Sequence, residues 1–242
     1  MKYCAVTMQR TGSSLLNEYV YQANDRFGSY EFFLDKEVLH SDGTHSLDHN
    51  LTTITLENVL RKFDYLEDLK SKDVYFPIKV IPKHVIKFGD EIENKLKNYL
   101  NDFKILTILR NPFDTYLSQS FQESINWKVP HNKNGLDYDK LNSTPFYSNI
   151  DIEHFISIWL NESRFIFETE PYHVFKYEDI NIEHLNNYFN ISLNASLKPM
   201  NIDYKSLLIN YDMVYDDFHF ALERKVKDWK KVFGVNVYNE DL

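Results

Sequence analysis

A short stretch near the start of the chain combines residue types that can hold an anion. Residues 10–14 read Arg-Thr-Gly-Ser-Ser, which places a fixed cation and three hydroxyl groups around one glycine. A short apolar run precedes them, and apolar residues at positions 15, 16, 19 and 20 follow at helical spacing. Gly12 therefore marks a predicted turn from a strand into a helix, where free N–H groups and the positive dipole end favour a phosphate or sulfate group.

This loop differs from the phosphate loop of nucleotide hydrolases. The pattern G-x-x-x-x-G-K-[ST] requires glycine where this chain has Thr7, and lysine where it has Ser13. An ATPase or a kinase is therefore the less favoured interpretation. Taken alone, the loop is equally well read as a helix start with serine caps.

A second arginine follows another predicted strand. Residues 105–109 are apolar, Arg110 comes directly after them, and Pro112 suits the first turn of a following helix. Ser118 lies eight residues after Arg110, which is roughly two helical turns, so both side chains can lie near the end of that strand. A guanidinium group and a hydroxyl group suit a second phosphate.

Together the two motifs resemble those of the sulfotransferases, which take the sulfuryl group from 3′-phosphoadenosine 5′-phosphosulfate (PAPS). The resemblance implies a P-loop-like α/β fold, known as the sulfotransferase fold. It also assigns Arg10, Thr11, Gly12, Ser13 and Ser14 to the 5′-phosphosulfate, and Arg110 and Ser118 to the 3′-phosphate. The run Tyr177-Glu178-Asp179-Ile180 resembles a Y-E-D-L segment that many members carry.

A narrower similarity concerns the residues before two adjacent phenylalanines. Residues 28–33, Gly-Ser-Tyr-Glu-Phe-Phe, are similar to the G-x-P-x-E-F-F segment of bacterial trehalose 2-sulfotransferase-type enzymes. Residues 76–80 resemble a strand of the same branch. The glutamate of that segment is the general base there, so the resemblance assigns this catalytic role to Glu31. The usual proline is missing, and this difference affects the expected conformation of the loop rather than the presence of the carboxylate.

Other residues are alternatives or additions at the same centre. His84 is a second candidate base, because cytosolic sulfotransferases have a histidine two residues after a strand lysine; Ile81 holds that position here. Lys79 is expected either to contact the transferring group or to extend from the strand end to solvent. Arg224 and Lys225 loosely resemble a late basic motif of the family and would then reinforce the 3′-phosphate site.

Strands and helices alternate along the chain. The pattern predicts strands at 2–8, 75–80, 104–109 and 173–177, and helices at 13–24, 56–70, 90–100, 111–125, 152–165 and 182–189, with a helical part over 204–233. Residues 26–50 are predicted irregular and residues 126–149 a long loop. The alternation predicts one domain over residues 1–242, an α/β fold with a parallel sheet and helices on both faces, and ligands beyond the carboxyl ends of the strands.

Composition narrows the function classes. The formal net charge of the 242-residue chain is −9, which argues against nucleic acid as a partner and requires a local positive pocket for an anionic donor. The single cysteine, Cys4, excludes an intrachain disulfide and fits a cytoplasmic protein. No apolar run approaches the roughly 18 residues of a membrane span. His40, His45 and His49 lack a complete set of zinc ligands, so no metal is expected.

Three interpretations stay open from the sequence. The first is a sulfotransferase that transfers a sulfuryl group from PAPS to a small hydroxyl acceptor such as a saccharide. The second is a P-loop-like nucleotide or small-molecule kinase, and the third is a non-catalytic protein that binds a nucleotide or a glycan. The acceptor is not identified, and the resemblance is compatible with a homodimer.

Overall fold

A computed structural model describes residues 2–23, 32–33, 37–39, 45–47, 55–74, 76–125, 141–191 and 202–233. The chain divides into two compact units. Unit 1 comprises Met1–Leu109 with Glu162–Leu197, and unit 2 comprises Arg110–Asn161 with Lys198–Leu242. The single domain over residues 1–242 stays a prediction.

Six strands are described: β1 (Tyr3–Val6), β2 (Glu37–Leu39), β3 (His45–Leu47), β4 (Lys79–Val80), β5 (Lys104–Leu109) and β6 (His173–Lys176). Four of them form a parallel sheet in unit 1, in the order β4-β1-β5-β6. Ala5 in β1 lies opposite Lys79 in β4 and Leu106 in β5. The predicted α/β class with a parallel sheet is confirmed.

The helices are α1 (Ser13–Ala23), α2 (Leu56–Ser71), α3 (Lys83–Ile86), α4 (Asp90–Leu100), α5 (Pro112–Ser124), α6 (Ile152–Glu168), α7 (Ile182–Phe189), α8 (Tyr204–Leu207) and α9 (Tyr211–Phe233), and a 3₁₀ helix covers Tyr177–Asp179. Asparagine side chains cap two of them. Asn111 accepts from the N–H of Phe113 at 2.9 Å, and Asn181 accepts from the N–H of His184 at 2.8 Å. Pro112 opens α5, as predicted.

The core of unit 1 forms where α1 packs on the sheet. The apolar side of α1, with Leu15, Leu16, Tyr19 and Val20, is buried. It packs with Ala5, Leu106, Ile108, Phe175, Ile180 and Leu185 from the strands and from the segment after β6. Each buried Leu, Ile, Val or Phe side chain contributes roughly 1.5–3 kcal/mol. This packing fixes the direction in which α1 leaves β1.

Unit 2 has an aromatic core of its own. Phe113 and Tyr116 on α5 pack against Phe218 on α9, with ring centroids 5.1 Å and 5.2 Å apart, and Tyr116 meets Phe155 on α6 at 5.2 Å. Such ring pairs add roughly 0.5–1.5 kcal/mol to the burial of their surface. The aromatic residues therefore hold α5, α9 and the first part of α6 together.

Three predicted segments differ in part from the structure. Residues 26–50 are not wholly irregular, because β2 and β3 pair as an antiparallel two-stranded sheet. The strand predicted at 75–80 is described only at its end, as β4; Pro77 has no N–H for a sheet ladder, and the N–H of Ile78 donates to Cys4 Sγ. The helical part over 204–233 breaks into α8 and α9, where Asn210 has a φ of 60°.

Within the part of the chain that the structure describes, no helix is both long enough and apolar enough to cross a membrane.

Candidate functional site

The loop between β1 and α1 has an unusual backbone. Arg10 has a φ of 63° and Gly12 a φ of 74°, so both lie in the left-handed region. For a residue with a Cβ atom this conformation costs roughly 1–2 kcal/mol. Left-handed residues in short turns are typical of concavities in which backbone N–H groups bind anions. The backbone conformation at Arg10 and Gly12 is compatible with such a concavity.

The loop is fixed at both of its ends. The Thr11 hydroxyl donates to the carbonyl of Met8 at 2.8 Å, and Thr11 is buried. Helical bonding begins at the N–H of Leu15, which donates to the carbonyl of Gly12 at 3.0 Å. The N–H groups of Ser13 and Ser14 donate to no carbonyl among the described residues, so the first turn of α1 can donate to a ligand.

The φ of Gly12 favours glycine, and a side chain at this position would also crowd a neighbouring ring. A Cβ atom at this position would lie 3.3 Å from Cε2 of Tyr177, which begins the 3₁₀ helix after β6. The ring of Tyr177 therefore packs directly against the backbone of the loop. This contact gives a structural reason for the tyrosine of the Tyr-Glu-Asp run.

Two residues beside the loop in the structure were given no functional role from the sequence. The Lys83 ammonium donates to Oε1 of Gln9 at 2.6 Å, and Gln9 immediately precedes Arg10. Lys83 is the first residue of α3, a short helix that was not predicted. Its side chain brings a positive charge to the loop from another element of unit 1.

The predicted base, Glu31, lies outside the described residues, whereas the two phenylalanines after it are described. Phe32 and Phe33 are fully buried. The N–H of Phe32 donates to the carbonyl of Lys79 at 3.1 Å, and the buried Lys62 ammonium donates to the carbonyl of Phe32 at 2.6 Å. Phe32 is thus fixed beside β4, and the role of Glu31 stays a prediction.

The two other residues predicted for the catalytic centre are buried in unit 1. Lys79 is 7% exposed and lies in β4, and His84 is 4% exposed and lies in α3. Because so little of Lys79 is exposed, the expectation that it extends to solvent is disfavoured. Its contact with a transferring group and the role of His84 as a base stay predictions.

The residues assigned to the 3′-phosphate belong to unit 2. Arg110 follows directly after β5, and Asn111 caps the helix that begins next. Ser118 is buried in α5, and its hydroxyl donates to the hydroxyl of Tyr204 at 3.3 Å. Their assignment to a phosphate group stays a prediction.

The two late basic residues contact a carboxylate of the same unit. Arg224 forms an ion pair with Glu153 of α6. The Lys225 ammonium donates to the hydroxyl of Ser157 at 2.8 Å and lies 3.3 Å from a carboxylate oxygen of Glu153. Both charges thus help to hold α9 on the first part of α6, which offers a structural explanation for them beside the predicted role at a phosphate.

No cluster of three or more potential metal ligands occurs among the described residues. Of the three histidines considered in the sequence, His40 and His49 lie outside that part of the chain, and His45 lies in β3.

No protein-family model and no curated protein matches this sequence. The function is therefore inferred from the chain's own residues and motifs.

Proposed function

We propose that the protein is a sulfotransferase that transfers a sulfuryl group from PAPS to the hydroxyl group of a carbohydrate or another small molecule. The observation that carries this proposal is the loop between β1 and α1. It combines the Arg10 cation, two left-handed residues and two N–H groups at the start of α1 that have no carbonyl partner in the described part of the chain. The Arg-Thr-Gly-Ser-Ser motif of the loop supports sulfuryl transfer in particular, and with it the sulfotransferase fold.

The residues divide the work of the transfer. The Glu31 carboxylate takes the proton of the acceptor hydroxyl as the acceptor oxygen bonds to sulfur. Arg10 and the N–H groups of Ser13 and Ser14 stabilise the negative charge on the 5′-phosphate oxygen as its bond to sulfur breaks. PAPS supplies the sulfuryl group and leaves as 3′-phosphoadenosine 5′-phosphate (PAP). Positioning and charge stabilisation therefore carry most of the catalysis.

The proposal assigns the 3′-phosphate to Arg110 and Ser118 on the strength of the resemblance. Lys79 is proposed to contact the transferring group, and His84 is the alternative base. A kinase would use a lysine within the loop, where this chain has Ser13. For this reason sulfuryl transfer is preferred to phosphoryl transfer.

A transfer assay with radiolabelled PAPS and a panel of hydroxyl acceptors, including trehalose, other saccharides and simple alcohols, tests the proposal. We expect a labelled product from the wild-type protein. Glu31→Gln should lower turnover by at least about 100-fold, because the base is lost, while PAP still raises the melting temperature. Glu57→Gln is the matched control, since Glu57 is exposed on α2, and it should keep full turnover.

The two parts of the proposal fail in different ways. Turnover that persists in Glu31→Gln would remove Glu31 from the role of base and would favour His84. Absence of transfer to every acceptor, together with no stabilisation by PAP, would contradict the sulfotransferase itself.

A further inference from the structure

The position of Lys83 follows from the pairing of β1 with β4. These strands are parallel neighbours, and the N–H of Thr7 donates to the carbonyl of Val80 at 3.0 Å, so the two strands end side by side. The chain leaves β1 into the loop, and it leaves β4 through two residues into Lys83. Segments beyond the carboxyl ends of adjacent parallel strands lie at the edge of the sheet where ligands bind.

The contact of Lys83 at this edge is with a neutral group. Its ammonium donates to Oε1 of Gln9 at 2.6 Å, and an ammonium group has three N–H donors. The amide of Gln9 therefore uses only one of them and neutralises no charge. It holds the ammonium against the segment that carries Arg10.

No carboxylate pairs with the Lys83 ammonium among the residues that the structure describes. Glu162 lies nearby, but its Oε1 accepts from the backbone N–H of Lys83, at 3.2 Å. Lys83 is partly buried, and a partly desolvated ammonium with no carboxylate in direct contact gains stabilisation when an anion binds to it. An anion at the loop would provide this stabilisation.

From these observations we infer that Lys83 is an anion-binding residue of the loop, and that its ammonium contacts an oxygen of the phosphate or sulfate group held there. Applied to the substrate, this assigns Lys83 to the 5′ end of PAPS, a second step that rests on the proposed function. Lys83 would then provide a point charge beside the leaving 5′-phosphate. The charge comes from α3, which follows the neighbouring strand, rather than from the loop itself.

Calorimetric titration of PAP and of adenosine 3′-phosphate into matched variants tests this inference. Lys83→Met should weaken the binding of PAP by at least about ten-fold, since a hydrogen bond to a charged group is lost. Lys87→Met removes the same charge from the exposed residue directly after α3 and should change the affinity by less than about two-fold. Adenosine 3′-phosphate lacks the 5′ group, so its affinity should be the same in both variants.

The outcomes separate Lys83 from the proposed function. Equal affinity for PAP in Lys83→Met and Lys87→Met would overturn the role of Lys83 and leave the sulfotransferase standing. If the wild-type protein binds no PAP, inorganic sulfate and phosphate are titrated instead. Weaker binding of those ions in Lys83→Met alone would then support the role of Lys83 in anion binding while the proposed function fails. Equal binding in the two variants would overturn the role of Lys83 as well.

A second pair of variants guards against misfolding. Lys83→Gln keeps a polar group near Gln9 but removes the charge. It should weaken the binding of PAP as much as Lys83→Met does. Lys83→Arg keeps the charge and should restore most of the affinity. Wild-type affinity in Lys83→Gln would overturn the inference, because the charge would then be dispensable.

Discussion

Charged side chains in two regions of unit 1 differ in whether they are paired with opposite charges. Between α4 and α6, Arg164 donates to both oxygens of Glu93, at 2.8 Å each, and Lys97 bridges Glu93 and Glu168 at 2.7 Å and 2.6 Å. Beside the loop, the ammonium of Lys83 donates to the neutral amide of Gln9, and no carboxylate pairs with it among the described residues. Charges that neutralise one another hold two helices together, whereas a charge without a carboxylate stays available to a ligand.

The protonation of the cluster between α4 and α6 follows from this pairing. Burial alone would raise the pKa of the Glu93 carboxyl, but the hydrogen bonds from Arg164 and Lys97 outweigh it and lower the pKa. The hydrogen bond to Glu93 in turn raises the pKa of Arg164. Glu93 is therefore ionised at neutral pH although its side chain is only 7% exposed. The cluster is internally neutralised and is expected to bind no anion.

The largest effect should come from the glycine of the loop. Gly12→Ala places a side chain on a residue with a positive φ and close to Tyr177, so we expect a loss of stability of about 1–3 kcal/mol and loss of measurable PAP binding. Gly89→Ala is the matched control, because Gly89 also has a positive φ but a Cβ atom there meets nothing within 4 Å. Urea unfolding and PAP titration measure both effects.

The comparison of the two glycines separates backbone strain from ligand binding. Gly89→Ala should be destabilised yet should keep PAP binding. If Gly12→Ala binds PAP as well as Gly89→Ala does, the loop is not the site of the anion.

The ion cluster should affect stability and leave ligand binding unchanged. Glu93→Gln removes the hydrogen-bonded charge of a buried carboxylate and should cost about 2 kcal/mol in urea unfolding at neutral pH. The control Glu57→Gln breaks a pair with Arg61 in which the side chains are 66% and 71% exposed, and it should change stability by less than about 0.5 kcal/mol. A weaker affinity for PAP in Glu93→Gln would break the contrast between the two regions.

The pH dependence of the same variant has a definite sign. The pKa of Glu93 is lowered in the folded protein, so its contribution to stability is present at neutral pH and is lost as the pH falls through that folded value. The difference in unfolding free energy between the wild-type protein and Glu93→Gln should therefore shrink on acidification from about pH 7 to below about pH 4. A constant difference would show that the charge of Glu93 does not contribute.

The smallest effect concerns a hydroxyl group at the end of β1. Thr7 is fully buried, and its Oγ1 has no hydrogen-bond partner in the part of the chain that the structure describes. Thr7→Val should raise the unfolding free energy by about 1 kcal/mol, because an unsatisfied polar group is replaced by a methyl group of similar size. Thr107→Val in β5 should raise the unfolding free energy in the same way, since the Thr107 hydroxyl is also buried without a hydrogen-bond partner among the described residues. A loss of stability in Thr7→Val would indicate a partner for this hydroxyl.

Local patterns predicted much of the fold. The bounds of α4, β5 and α7 agree with the prediction to the residue, because amphipathic periodicity and buried apolar runs mark them. The break between α8 and α9 was not predicted, since the left-handed conformation of Asn210 leaves no mark on the apolar periodicity. Elements with a clear apolar pattern of their own were therefore predictable, whereas the short α3 and the β2–β3 pair were not.

The missing parts of the site depend on pairing across the sheet. Gln9 and Lys83 are separated by 74 positions, and they meet only because β1 lies beside β4. The packing of Tyr177 on Gly12 likewise needs β6 and the loop to be assembled first. The sequence showed the loop itself, with Arg10 and Gly12, but it could not show which other elements contact the loop.

On the proposed function, the loop between β1 and α1 binds the 5′ end of a PAPS-type ligand without the help of a metal ion. The most direct measurement is the melting temperature with PAP in the absence of Mg²⁺, beside ATP in the presence of Mg²⁺. We predict that PAP raises the melting temperature and that ATP with Mg²⁺ does not. Stabilisation by ATP with Mg²⁺ and none by PAP would contradict the account and would favour a kinase.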